Sequence, residues 1–441
     1  MNRARLRGPI EGANPPAGSP RRDLADDGYV CEEYFLEGSA MAYQHRGEES
    51  PSSDGRWEPE VFGEGPYRTR LLVVRPEDPS LFNGTVLLNW QNVSAGAEIT
   101  RPDDDELYRG FAWVGVSAQE ISLYGSPMGM GVRGVLPREA LLDLDPERYG
   151  SLTHPGDAGS FDIFSQAAHA VGPQRSLQPD PLGGLSVERV VALGGSQSAM
   201  RLAAYLNGVH LLHQVIDGFV LTVWEGRAPR LPEGPLPLGL RTVLRDDLEV
   251  PIFVVNSEFE AEAGATAQQP DHERLRVWEV AGTPHGTRRK QEAAGTSGWQ
   301  TNPLRWDPVH QAAIRLMHRW LDDGTEPPVQ PRIESDARGR LVRDEFGNAL
   351  GGVRLPDLEV PVGTFQGMSV KTSSGPLFGG FHPMDPEVLR TLYPDRERFL
   401  EPWDRAVRAM ISAQTLLGDD AASQRARGRT IVESISIAHG G

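Results

Sequence analysis

Val190–Met200 reads VVALGGSQSAM. Val187–Leu193, VERVVAL, reads as a buried strand whose β-branched and apolar end is Val190–Leu193. It breaks at Gly194-Gly195 and presents two serines separated by one glutamine. Ser198–His210, SAMRLAAYLNGVH, follows as a good helix former that ends near Asn207-Gly208. A serine on a tight strand-to-helix turn is held above the sheet edge, and its neighbours must be small because strand and helix approach closely there. Gly194-Gly195-Ser196-Gln197-Ser198 keeps Gly-x-Ser-x-Gly spacing, with Ser198 in place of the last glycine. Taking Ser198 as the reactive residue would put Met200 and Arg201 in the crowded positions. Ser196 is therefore the preferred nucleophile and Ser198 the alternate. The competing reading is a phosphate-cradling or purely structural glycine turn, which the rest of the chain must exclude.

Outward from this turn, strands and helices alternate. Tyr67–Pro76 (YRTRLLVVRP), Gly84–Trp90 (GTVLLNW) and Phe111–Gln119 (FAWVGVSAQ) read as strands before it. Val215–Val223, Val250–Ser257 and Arg274–Gly282 read as strands after it. Phe164–Val171 and Val309–Leu321 read as helices. This alternation predicts an α/β fold, a mainly parallel central sheet with helices on both faces. The Pro/Gly/Arg-rich residues 1–25 are expected to be flexible. The core is expected over 26–330, with a small cap loop near 226–247. Residues 331–441, with apolar helix faces in Asp385–Tyr393 and Glu401–Leu417, are expected to form a C-terminal appendage packed on that core.

A serine hydroxyl is a poor nucleophile and needs a base, which needs an orienting acid. On this architecture both should follow later in the chain, each just past a strand. After VPIFVVNS come Glu258 and Glu260; counting three residues beyond Ser257 selects Glu260, with Glu258 as the alternate. After VWEVAG comes TPHG, which sets His285 in a loop. Of eleven histidines, His285 is the one past a strand in the required chain order. His154 in THPGD is a lesser rival, and His210, His213, His310 and His318 fall on helices as packing or surface residues. An acyl-transfer oxyanion needs two donors. One is the backbone N–H of Gln197, and the other is expected from Gln91 or Asn92, after the strand VLLNW. Trp90, Trp224 and Phe259 are candidate walls of an apolar substrate pocket.

Composition limits the alternatives. A net charge of −17, from 44 basic and 61 acidic residues, disfavours a grip on nucleic acid or anionic membrane. The single cysteine, Cys31, excludes an intrachain disulfide and a cysteine-cluster zinc site. The N-terminal residues lack the apolar core of a secretory signal, and no run of about 18 apolar residues offers a membrane span. A cytoplasmic protein without metal or other cofactor is expected.

Several segments together resemble the α/β-hydrolase superfamily, and more narrowly the bacterial family of "alpha/beta hydrolase domain" proteins. They are GYVCEEYFLEGSAMAY (Gly28–Tyr43), FNGTVLLNWQNVSAG, RYGSLTHPGDAGSFDIFSQAA (Arg148–Ala168), GGSQSAMRLAAYLNGVH, WEVAGTPHG and RDEFGNALGGVRLPDLEVPV (Arg343–Val362). The resemblance covers nearly the full chain. Asn89, Ala199 and Cys31 depart from a glutamate, a glycine and an acid that members tend to show. An aspartate is common in the family at the place of Glu260, which favours that residue over Glu258. The resemblance implies an α/β-hydrolase fold and esterase-type chemistry on a small-molecule ester. Acyl transfer or cyclisation through the same acyl-enzyme is an alternative, and a degenerate hydrolase acting as a binding protein is another.

Overall fold

The computed structural model describes residues 4–47, 51–126, 137–232, 239–263, 269–287, 298–372 and 374–437. The chain divides into two compact units, Met1–Ile252 with Leu321–Asp323, and Phe253–Trp320 with Gly324–Gly441.

The first unit is built on strands β1 (Arg5–Arg7), β2 (Tyr29–His45), β3 (Pro59–Pro76), β4 (Thr85–Trp90), β5 (Ala112–Val116), β6 (Arg189–Gly195) and β7 (Gly218–Thr222), in the spatial order β1-β2-β3-β5-β4-β6-β7. The run β5-β4-β6-β7 is parallel throughout, with Leu88 opposite Val114 on one side and Ala192 on the other. Every residue of β4, β5 and β7 is buried, which is why these segments are mainly apolar on both faces. The pairings β1-β2, β2-β3 and β3-β5 are antiparallel. The chain order crosses over before β4 and β5, as α/β connections require.

Trp90, considered above as a pocket wall, belongs to the core. It is fully buried, and its ring lies 4.7 Å from Phe164 and 5.6 Å from Phe161 of the helix Ser160–Val171. Phe164 in turn meets Tyr205, and Tyr205 meets Phe219 of β7. An aromatic side chain at a strand end is drawn into such a column because burial of its large apolar area outweighs any single polar contact.

The N-terminal segment, expected to be flexible, makes named contacts from its described residues. β1 pairs with β2. Arg148 donates to the carbonyls of Asn14 (2.7 Å) and Ile10 (3.1 Å), and Arg70 donates to that of Ala17 (2.6 Å). The Ala17 N–H donates to Tyr149 Oη at 3.0 Å. Buried Glu33 gathers Arg70, Arg148 and the Tyr149 hydroxyl. A Pro/Gly-rich segment makes few hydrogen bonds of its own; guanidinium donors take up its carbonyls instead.

In the expected cap region, β8 (Arg227–Ala228) and β9 (Leu240–Arg241) form a two-stranded antiparallel ribbon; residues 233–238 lie outside the described residues. Asn207 braces its base, donating to the Val243 carbonyl at 2.9 Å.

The second unit carries neighbouring strands β10 (Ile252–Ser257, all but its first residue) and β11 (Leu275–Val280). The chain after Gly324 is fastened to β11. Arg276 and Trp278 donate to the carbonyls of Pro327 and Pro328, and Val353 pairs with Val280. A small ribbon, β12 (Gly363–Gln366) with β13 (Gly380–Pro383), stacks Phe365 on Phe381. Helices Arg396–Ser412 and Ala421–Ile437 pack together at Gly428, where an added Cβ would sit 2.7 Å from Trp403 Nε1.

Candidate active site

In the first unit, β6 ends at Gly195 and the helix Gln197–Ala204 begins at once. Ser196 between them has φ 55° and ψ −117°, a conformation costing a non-glycine residue about 1–3 kcal/mol. Its N–H donates to the Thr222 carbonyl at 2.9 Å, and its carbonyl accepts from the Met200 N–H at 3.1 Å. Gly194 must be glycine, because a Cβ there would lie 2.8 Å from Leu202 Cδ1 and 2.9 Å from the Ser198 carbonyl. Ser196 keeps partial exposure while Ser198 is 1% exposed. The Ser198 hydroxyl accepts from the Gly195 N–H (2.9 Å) and donates to the Gly195 carbonyl (3.0 Å). Ser198 thus staples the turn.

The loop after β4 is pinned to the turn. Asn92 Nδ2 donates to the Gly195 carbonyl at 2.8 Å, and the Val93 N–H donates to Gln197 Oε1 at 3.2 Å. The Gln91 N–H donates to Val116 in the sheet at 3.2 Å. That commitment removes it as an oxyanion donor. The Asn92 N–H makes only a long contact, 3.4 Å, to Thr100 Oγ1.

In the second unit, Ser257 caps the short helix Glu258–Glu262. Glu260 reaches back, and its Oε2 accepts from the Ser257 N–H (2.9 Å) and hydroxyl (2.6 Å). This is the reciprocal capping arrangement of Ser-x-x-Glu, and it fixes the carboxylate plane. The other oxygen, Oε1, lies 2.5 Å from His285 Nδ1. The Phe259 ring stands edge-on to the imidazole at 5.4 Å. Glu258 serves elsewhere. Fully buried, it accepts from the Gly282 N–H (2.6 Å), the Gly367 N–H (3.1 Å) and Arg343 (3.1 Å). The histidine loop is further held by Asn302 on the Gly282 carbonyl and Trp306 on the His285 carbonyl.

A family model described as Alpha/beta hydrolase domain matches residues 6–426. The chain belongs to the alpha/beta hydrolase domain family. No curated protein matches it. Among solved structures it is similar to esterase Est22, at 12% identity and a TM-score of 0.25, covering 52% of this chain and 63% of that one. It is similar to acetyl xylan esterase 1 from Thermoanaerobacterium sp. JW/SL YS485, at 14% identity and 0.23, covering 51% and 53%. For brefeldin A esterase the values are 14% and 0.24, covering 49% and 43%. The chain spans less than two-thirds of the length of each of these structures.

In this α/β-hydrolase the rival histidines have other work. Both ring nitrogens of His154 are hydrogen-bonded. Nδ1 accepts from the Gly156 N–H and Nε2 faces the Ala118 carbonyl at 2.9 Å, while burial holds its pKa below the usual imidazole value. His213 Nε2 lies 2.7 Å from the Tyr43 hydroxyl, and His210 stands edge-on to Phe219. Trp224, 4% exposed, donates to the Arg227 carbonyl at 2.7 Å. Of the three expected pocket walls, Phe259 stands edge-on to the candidate base His285. Among the described residues no cluster of His, Cys, Asp or Glu could hold a metal ion. Sequence reading gave no role to Gln119, Asp157 and Arg201, which form a buried network behind the turn. Of the three, Asp157 is the one that lies in THPGD.

Proposed function

We propose that this α/β-hydrolase cleaves carboxylic esters of small molecules through an acyl-enzyme, with Ser196 as nucleophile, His285 as base and Glu260 as the orienting acid. The observation that carries the reading is the 2.5 Å contact between Glu260 Oε1 and His285 Nδ1. A carboxylate that accepts the Nδ1 proton selects the tautomer whose Nε2 can take a proton from an alcohol. Chain order and the strained backbone at Ser196 support the same assignment. Ser196 Oγ attacks the ester carbonyl as its proton passes to His285 Nε2. The negative oxygen is stabilised by the N–H of Gln197 and a donor from Asn92. Collapse breaks the bond to the alkoxy group, which leaves as the alcohol with the proton from His285. Water activated by the same imidazole then releases the acid. Phe259 would border the acyl or alkoxy group.

The test is turnover of p-nitrophenyl esters of graded acyl length by the wild type and by Ser196→Ala and Ser198→Ala, with fluorophosphonate labelling mapped by mass spectrometry. Ser196→Ala is expected to lose at least ~1000-fold in kcat and all labelling. Full activity in that variant, or a label on another residue, overturns the assignment.

A further inference from the structure

Behind the turn, five side chains of the first unit form a directional chain of hydrogen bonds. Asp157, 5% exposed, accepts from Arg201 Nη2 at 2.7 Å and from Gln119 Nε2 at 3.3 Å through Oδ2, and from the Glu120 N–H at 3.0 Å through Oδ1. Gln119 Oε1 accepts from Trp90 Nε1 (3.1 Å) and from Gln197 Nε2 (2.8 Å). Gln197 Oε1 then accepts from the Val93 N–H (3.2 Å).

The order of donors is dictated. An ionised carboxylate can only accept, so Gln119 must turn its NH2 towards Asp157. Its oxygen then faces two donors, Trp90 and Gln197. Gln197 is thereby required to turn its NH2 to Gln119 and its oxygen to the Val93 N–H. Reversing Gln197 would set two donors against each other at Val93, and a buried donor left unpaired costs about 1–3 kcal/mol. The end of the chain fixes the separation between the Gln197 main chain and the loop that carries Asn92.

We infer that Asp157 and Gln119 are positioning residues of the oxyanion hole, setting the orientation of the Gln197 amide and so the spacing of the two donors. This rests on the nucleophile and oxyanion roles proposed above. Asp157 is itself anchored. Thr153 in the same stretch pairs with Arg68 of β3, and Gly65 leaves room for Pro155, which a Cβ would approach to 2.7 Å. Arg201 and Asp157 are almost fully buried together, so the charge that starts the chain is shielded from solvent.

The test is a double-mutant cycle in the full-length protein, with kcat and KM read separately. Gln119→Met keeps the Asp157–Arg201 pair and is expected to lower kcat about 10- to 100-fold with KM within about twofold. Gln197→Met should do the same. The double variant should be no slower than Gln197→Met alone, because Gln119 acts through Gln197. Wild-type kcat in Gln119→Met, or losses in the double variant equal to the product of the single ones, overturns the inference, since a packing role gives additive effects. If Gln119→Met does not fold, Asp157→Asn serves: its amide permits either orientation of Gln119, so kcat should fall at unchanged KM. Unchanged kcat there also overturns it. Activity retained in Ser196→Ala would instead refute the nucleophile itself, which separates the two failures.

Discussion

Glu258 and Glu260 differ by two positions and have the same functional group, yet the fold gives them opposite tasks. Glu260 is oriented by its own helix cap and presents one oxygen to an imidazole. Glu258 spends both oxygens on structure, bonding the histidine loop at Gly282 and the later chain at Gly367 and Arg343. The two amide variants should therefore separate activity from stability. Glu260→Gln is expected to reduce kcat about 100- to 10,000-fold with little change in melting temperature, because the amide no longer holds the imidazole tautomer. Glu258→Gln should retain kcat within about tenfold at low temperature and lose about 3 kcal/mol of stability, from a broken buried ion pair. Kinetics and thermal melts on the two proteins check both. Counting from the strand end reaches Glu260, whose Oε1 lies against His285 Nδ1. The bonds of Glu258 were not legible, because its partners lie 24, 85 and 109 residues away, a distance at which local pattern carries no information.

At the scale of elements, central strands were readable and edge structure was not. Tyr67–Pro76 reads as a strand, but β3 begins at Pro59. Its first half contains Gly63, Gly65 and Pro66, which punctuate like a turn. There Gly65 serves close approach to Pro155 rather than a change of direction. The helix Ala421–Ile437 has little apolar periodicity to read, because among its described side chains the buried positions, Ala421, Gly428 and Val432, include one large apolar residue. The N-terminal strap is the third case, since its order comes from Arg70, Arg148 and Tyr149, far along the chain. Removing one anchor should loosen it alone. Arg148→Met is expected to make bonds within residues 8–19 at least tenfold more sensitive to a trace protease, while the core resists. Mapping early fragments by mass spectrometry checks this. Cleavage at the wild-type rate would mean that β1 and the Arg70 contact hold the segment unaided.

For the whole molecule, the order strand, elbow, acid, histidine was the legible part, because each catalytic candidate follows a strand in chain sequence. How charge is buried was not legible, and it governs the response to pH. His210 lies 3% exposed against Tyr205 and Phe219 with Arg245 nearby, and burial followed by that positive charge lowers its pKa to about 4. Burial likewise lowers His310 to about 4. An unfolded histidine titrates near 6.5. Between about pH 6.5 and 4 the unfolded chain therefore binds protons that the folded chain refuses, and stability falls as pH falls through that window. Each fully developed histidine contributes at most about 1.4 kcal/mol per pH unit. Asp217, raised by burial, acts in the opposite sense, since its folded form takes up a proton more readily than the unfolded chain. Burial also lowers His45 to about 4 and raises the carboxyls of Glu120 and Glu262. Unfolded imidazoles titrate inside the window from pH 7 to pH 5 and unfolded carboxyls below it, so the melting temperature should drop from pH 7 to pH 5. His210→Phe keeps an aromatic ring beside Phe219 and removes one of the titrating groups. Melting curves at pH 7, 6 and 5 should show a shallower fall in this variant than in the wild type. Parallel falls would mean that His210 gains its proton in the folded protein as readily as in the unfolded one, with Arg245 and the surrounding rings failing to keep it neutral.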